Sequence, residues 1–370
     1  MITCEVPGKL FIGGEYAVLE PGALAVLVAV DRYLTVRISP VAGIRRTVTT
    51  APAGPEPVEL VRSGANVVAV ADDPAVAGAL RHVRAAVELV ERYALERGCA
   101  LLGFELDIRS ELDDRGTGRK YGLGSSGAVT VGLIRALTRL YRFELDDDAL
   151  LRLALLTALT VDSRCSGGDV AASLFGGWVA YRAPDRPRVL EHLARPDTRL
   201  ADLIERPWPL LSATRLPPPR ELRLEIGWSG EPAVSSGLVA RLRAGVAGNP
   251  AAYDRFVAGS NACVAALVTG LEAGDDAAVA AAVAAAGALL RSVSELAGVI
   301  VETPALAALR HAAETLGAVA KTSGAGGGDC GIALVDPAAA SQLRRRWRAA
   351  GIVPLGLQVH QELSMKGDGQ

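Results

Sequence analysis

Apolar positions along the chain change period several times, and each change marks an element. Residues 24–38, LAVLVAVDRYLTVRI, pass from continuous to alternating β-branched character and predict a long strand or strand pair. From Asp73-Pro74 to about Glu96, Val76, Leu80, Val83, Val87, Val90 and Tyr93 recur at helical spacing, and LLGFELDI at 101–108 then reads as a strand. A polar loop, Ser110 to Arg119, ends at KYGLGSSG (120–127), and AVTVGLIRALTRLY behind it has helix length and period, so the glycine cluster opens a helix. Asp146 to Asp148 suit the cap of a helix at 149–161, and GGWVAYR at 176–182 predicts a strand. Residues 183–220, rich in Pro and Arg, have the weakest periodicity and predict the domain boundary, with one domain over 1–200 and a second over 201–370. The second half reads as a strand at 221–228, helices across 236–297, and a helix start at Thr303-Pro304. A strand, glycine loop and strand follow at 316–335, then a helix containing Arg344 to Arg348 and a strand at 352–359. The class is α+β in both halves, without repeats.

A chain of 370 residues exceeds what one core usually organises, which agrees with two domains. Half of it is hydrophobic but only 4% aromatic, so the apolar mass is Ala, Val and Leu. The longest apolar run, 277–290, falls short of the ~20 residues of a bilayer-spanning helix and predicts a buried Ala-rich helix, with no membrane partner. The start, MITCEVPGK, lacks the features of an export signal, and the five cysteines are scattered without C-x-x-C or His at metal spacing. Free thiols and a cytoplasmic location are the expectation. His82, His192, His311 and His360 have no i, i+4 partner and receive no chemistry.

Basic and acidic residues nearly cancel, 39 against 41, which removes the electrostatic footprint of a nucleic-acid binder. Any anion must be handled locally. Lys stands only at 9, 120, 321 and 366, and the other 35 basic residues are Arg. Three of the four lysines touch glycine-rich segments.

The central segment is formally G-x-G-x-x-G, but a dinucleotide fold would place it directly behind a strand, and here ten residues intervene. As a helix start, Gly122, Leu123, Gly124, Ser125, Ser126 and Gly127 can wrap an anion with outward N–H groups. Alternatively Ser125 only caps the helix. PGKLFIGGEY (7–16) sets Lys9 behind a Pro-Gly turn, unless it is an ordinary surface lysine, and KTSGAGGGD (321–329) is longer than a plain hairpin requires. SGGDVAAS (166–173) sets Asp169 in a glycine-preceded turn, where a carboxylate could accept a proton, hold Mg²⁺, orient a lysine or merely cap a helix. Three glycine cradles, each with a lysine, suggest a site that binds a polyphosphate and moves one of its groups. No Walker A or protein-kinase pattern is present.

In order, PGKLFIGGEYAVL (7–19), KYGLGSSGAVTV (120–131) and KTSGAGGGDCGIAL (321–334) resemble the three motifs of the GHMP kinase superfamily. GEYAVLEPG (14–22), Lys120-Tyr121, GGDVAAS (167–173) and IGWSGEPAVSS (226–236) make the chain most similar to the phosphomevalonate kinase branch. The resemblance implies an N-terminal domain like domain 2 of ribosomal protein S5, a ferredoxin-like C-terminal domain and a site between them. It implies phosphorylation of (R)-5-phosphomevalonate by ATP with Mg²⁺, in isoprenoid biosynthesis. Carried over by motif, residues 122–127 would hold the ATP phosphates with Ser126 near Mg²⁺. Lys9, Lys120, Ser166 and Asp169 would surround the transferring group. Ser323, Gly324 and Ala325 would close over the phosphates, Tyr16 would border the acceptor, and Ser235 and Ser236 would face it.

The branch also makes sense of Lys120. An alcohol acceptor must lose a proton on attack, whereas a phosphate acceptor already carries about −1.5 to −2 charge and needs cations instead. Mevalonate kinase, diphosphomevalonate decarboxylase and a non-catalytic ligand sensor of the same superfamily are the alternatives to be separated.

Overall fold

Leu24–Val41 forms a single 18-residue strand, β2, and the N-terminal sheet is built on it. Residues 25–30 are buried on both faces, whereas from Leu34 onward only Leu34, Val36 and Ile38 are, so the change from continuous to alternating pattern records a change from two covered faces to one. The computed structural model describes residues 1–361 apart from 115–117, 234–241 and 243–248.

β1 (Ile2–Gly13) runs antiparallel to β2. The Pro-Gly turn expected before Lys9 is instead an irregularity inside β1, where the register shifts between Pro7 and Gly8. Gly8 eases the close approach of the loop there, since a Cβ would lie 2.9 Å from Leu112 Cδ2 and 3.0 Å from the Leu123 carbonyl oxygen. β3 (Arg46–Thr50), β4 (Gly54–Ser63), β5 (Asn66–Val70), β6 (Gly103–Ser110), β7 (Trp178–Arg182) and β8 (Ser212–Leu216) complete the sheet in the order β5-β4-β3-β6-β2-β7-β8. The helix expected over 73–96 divides at Leu80 into α1 (Pro74–Ala79) and α2 (Arg81–Glu96). With α2, α3 (Ser125–Leu140), α4 (Asp147–Val161) and α5 (Gly168–Phe175) form one helical layer, and α3 and α5 lie directly on β1 and β2. Asp146 caps α4 by accepting from Ala149 N at 2.7 Å.

The Pro/Arg-rich stretch holds α6 (Arg186–Ala194), α7 (Leu200–Glu205) and β8, which pairs with β7. The first sheet therefore continues past residue 200 to Leu216, and the second begins at β9 (Arg223–Trp228). After β9 come α8 (Pro250–Ala273), α9 (Asp276–Ala297), α10 (Pro304–Glu314), β10 (Val319–Thr322), β11 (Cys330–Val335), α11 (Pro337–Ala349) and β12 (Val353–Pro354). The antiparallel order β10-β11-β9-β12 is that of a ferredoxin-like βαββαβ sheet.

Two expectations change here. The strand at 352–359 shrinks to two residues, because the chain then leaves for the first sheet, where His360 N donates to Ala29 O at 2.8 Å. The Ala-rich run is covered on one face only: Val279, Ala282, Val283, Ala286 and Leu290 are buried, while Ala281, Ala284, Ala285 and Ala288 are exposed. Pro250–Ala273 and Asp276–Glu295 have the length and hydropathy of membrane-crossing helices, since single polar residues extend the helices beyond the uninterrupted apolar run. They pack against each other and against β2 and β10.

Candidate active site

The N-terminus of α3 lies against β1, and the glycines of 122–127 are explained by what approaches them. A Cβ on Gly124 would lie 2.6 Å from Lys9 Cε, one on Gly122 2.5 Å from Asp329 Cγ, and one on Gly127 2.8 Å from Asp169 Cγ. Each glycine thus admits one charged side chain from a different part of the chain. Gly124, left-handed at φ 76°, is the residue before the helix, so Ser125 is not its cap but its first residue. The α3 N–H groups and dipole are left facing outward. Lys9 N donates to Leu123 O at 2.8 Å and Lys9 Nζ to Gly122 O at 3.2 Å, which holds an almost buried lysine along the loop.

A cleft of about 500 Å³ opens above these groups. Of the residues singled out in the sequence, Lys9, Tyr16, Lys120, Gly122, Gly124, Ser125, Ser126, Ser166, Asp169, Ser323, Gly324 and Ala325 line it. Leu123 lies buried beneath, contributing its carbonyl, and Gly127 lines a neighbouring cavity of about 440 Å³. The two cavities share Ser126, Cys165 and Asp169. Ser235, Ser236 and Lys366 lie outside the described residues.

Several of these side chains are engaged with the protein itself. Ser323 Oγ accepts from Phe11 N and donates to Phe11 O, both at 2.9 Å, and Tyr16 donates to Ala325 O at 2.5 Å, so the third glycine loop is tied to the first motif. Burial, reinforced by the Glu15 charge, pushes the Tyr16 phenol far above its ordinary range, keeping it a neutral donor. Lys321 does not reach the cleft: its ammonium is buried against Glu15 and donates to Thr322 O at 2.7 Å. Asp169 sits in the first turn of α5 rather than at its cap, which is Gly167, and its Oδ1 accepts from Val170 N at 3.0 Å.

Glu15, Asp329, Cys165 and His82 also line the two cavities, although none of them stood out as a site residue in the sequence. Glu15 lines the cleft beside Tyr16. Asp329, at φ 57°, accepts from Ala233 N at 2.8 Å; burial raises its carboxyl, opposed by Ala233 N and by Lys9 and Lys120. A non-glycine residue ending a run of glycines was the available signal. Cys165 lies between the cavities, its thiol pushed up to about 12 by burial and by Asp169. His82 lines the second cavity, with Nδ1 3.1 Å from Thr130 Oγ1, whose hydroxyl donates to Ser126 O at 2.9 Å. Burial and then Arg81 and Lys120 lower its imidazole to about 4. Lys120, exposed at the rim, thus acts electrostatically on Asp329 in one cavity and on His82 in the other.

The GHMP kinases N terminal domain matches residues 81–177 and the GHMP kinases C terminal domain residues 258–353. The chain is 44% identical over 364 residues, 96% of each protein, to phosphomevalonate kinase of Streptomyces sp. strain CL190. Its similarity to mevalonate kinase of Thermococcus onnurineus is 28% over 76% of this chain and 74% of the other. The Streptococcus pneumoniae phosphomevalonate kinase, solved in complex with phosphomevalonate and AMPPNP, superposes with a TM-score of 0.83 at 32% identity, over 97% of this chain and all of that one. Lengthwise agreement of sequence and fold, with the cleft at the junction of both domains, places this chain in the GHMP kinases, in the phosphomevalonate kinase family.

Proposed function

We propose that this enzyme transfers the terminal phosphoryl group of ATP to the phosphate of (R)-5-phosphomevalonate, giving ADP and 5-diphosphomevalonate, a step of the mevalonate route to isoprenoids. The observation that carries the reading is a pair of adjoining cavities that meet at Ser126 and Asp169, with Lys9 and Lys120 on the walls of the first. The nucleotide phosphates lie over the α3 N-terminus and the acceptor along the wall formed by Tyr16 and Ser166 in the same cleft, so the phosphoryl group passes beside Ser126 and Asp169. The 44% identity to a phosphomevalonate kinase selects the acceptor.

In this reading Lys9 and Lys120 offset the repulsion between two phosphates, which is the principal obstacle when the nucleophile is already ionised. Outward N–H groups of residues 124–127 hold the nucleotide phosphates, and Ser166 and Tyr16 border the acceptor. Gly324 and Ala325 cover the cleft, with Ser323 fastening their loop to β1. The donor set at the junction, the Ser126 hydroxyl and the Asp169 carboxylate, suits Mg²⁺, which typically takes one or two protein oxygens and completes its shell with phosphates and water. When bound, the ion supplies charge neutralisation to the phosphates. Asp169 orients the cations around the transferring group rather than removing a proton. Five free cysteines agree with residence in the cytoplasm.

Product analysis with ATP and either mevalonate or 5-phosphomevalonate tests the reading. Formation of ADP and a diphosphate from 5-phosphomevalonate alone is expected; turnover of mevalonate instead, or release of CO₂ from 5-diphosphomevalonate, would overturn it.

A further inference from the structure

The buried pair between Glu15 and Lys321 is left unexplained by phosphate binding, yet one of its members lines the acceptor cleft. The two residues come from the first and third glycine segments, 306 positions apart, and their side chains are 3% and 1% exposed. Lys321 Nζ donates to Glu15 Oε1 and to Thr322 O. Glu15 Oε2 takes no hydrogen-bond partner among the described residues. Because Glu15 lines the cleft, its small residual exposure opens there.

A carboxylate in a cleft built for polyanions demands a reason. Left alone it would repel both phosphates, and Lys321 cancels that charge from behind. What remains toward the cleft is a hydrogen-bond acceptor with no competing donor. The acceptor molecule carries a largely dianionic phosphate and a carboxylate, which act chiefly as acceptors, and one tertiary hydroxyl, which is always available to donate. We propose that Glu15 accepts a hydrogen bond from the tertiary hydroxyl of the acceptor and so sets specificity for a 3-hydroxy acid, with Lys321 as the positioning residue that holds the carboxylate and neutralises it. The assignment rests on the reading that phosphomevalonate is the acceptor.

Removal of the hydroxyl leaves a nearly buried carboxylate oxygen unpaired, and such sites reject the analogue strongly. The experiment compares kcat/KM for 5-phosphomevalonate with that for the analogue carrying hydrogen in place of the tertiary hydroxyl. The wild type should prefer the natural acceptor by about 100-fold. In Glu15→Gln the amide oxygen turns to Lys321 and the NH₂ faces the cleft, so the charge-assisted bond becomes a neutral one in which the hydroxyl accepts, and the preference should fall to about tenfold with the KM for ATP unchanged. If that variant folds poorly, Glu15→Leu combined with Lys321→Met removes both charges and every polar atom that could pair with the hydroxyl, and the preference should then fall below about threefold. Lys321→Met alone should weaken discrimination, since the carboxylate is no longer held. An undiminished preference in folded Glu15→Gln, or in the double variant, overturns the proposal while leaving the kinase reading intact. An enzyme that does not phosphorylate 5-phosphomevalonate at all overturns the kinase reading instead.

Discussion

Two corners of the cleft start from the same sequence material, a lysine beside several glycines, and end in opposite states. At the α3 corner, Lys9 Nζ has the Gly122 carbonyl as its one hydrogen-bond partner among the described residues, Lys120 stands at the rim, and the helix N–H groups point outward. At the third-loop corner, Lys321 is paired with Glu15, Ser323 with the Phe11 backbone and Tyr16 with Ala325. The first corner keeps its positive groups available to a ligand, whereas in the second the polar groups join the two domains. A carboxylate partner makes the difference, and glycine content does not. Substitutions at the first corner should therefore change catalysis with the fold intact, and substitutions at the second should change stability first.

Lys9→Met should show the largest effect, a loss of about 10³-fold in kcat/KM for 5-phosphomevalonate with little change in thermal unfolding. Lys9→Arg should recover little of it, because the side chain lies on Gly124 where a Cβ would already be 2.6 Å from Lys9 Cε, and a planar guanidinium has no room to follow that path. Steady-state kinetics beside a melting curve check both halves; a Lys9→Arg enzyme near wild-type rate would erase the contrast between the corners. At the second corner, Lys321→Met leaves the Glu15 carboxylate buried without its partner and should cost about 3–5 kcal/mol of stability, measured by denaturant unfolding. Adding Glu15→Leu should restore most of that loss, and failure to do so would mean that the pair is not the source.

Gly124→Ala tests how the first corner is built. It places a side chain at φ 76° and in contact with Lys9, so it should displace the ammonium and lower kcat/KM by about 10–100-fold while costing about 1–2 kcal/mol of stability. His82 behind the same corner gives a pH signature. Its folded-state value of about 4 lies below its ordinary 6.5, so at pH 7 the folded state binds no proton and the unfolded state is mostly neutral as well. As pH falls from about 6.5 toward 4 the unfolded chain gains a proton that the folded one refuses, and stability declines over that window. His82→Gln should remove this contribution, which urea midpoints from pH 7 to pH 4 in the absence of nucleotide would read directly.

How far the sequence disclosed this arrangement depends on distance along the chain. β2, α3 and the Asp146 cap were legible because period and capping are local, and the glycine clusters were legible because closely spaced glycines in a loop have few other uses. β4 and β5 were not, since most of their residues are exposed and the apolar pattern is correspondingly sparse. Lys9 and Lys321 looked alike for the same reason: the carboxylate that separates them, Glu15, is six residues from one and 306 from the other, and only folding shows which it joins. The approach of Asp169 to Gly127 and of Asp329 to Gly122 belongs to the same class of long-range contact, so the role of those glycines in admitting carboxylates was hidden while their presence was plain.

The smallest effect expected is at Asp169, and it bears on why the first corner carries cations. Asp169 has the position of a catalytic base, at the junction of the two cavities and against Gly127. A phosphate acceptor, however, arrives deprotonated, with about −1.5 to −2 charge, and leaves a base nothing to remove. Asp169→Asn keeps the volume beside Gly127 and an oxygen for the Val170 N–H, and removes only the charge. If that charge orients Lys9 or a metal ion, kcat should fall less than about tenfold, because the neighbouring cations and the helix N-terminus persist. A flat kcat–pH profile across the range where a carboxylate titrates should accompany it. Loss of many orders of magnitude at unchanged KM for both substrates would make Asp169 an obligatory base. It would then also imply that the group attacked is an alcohol, and the contrast between the two corners would no longer explain the chemistry.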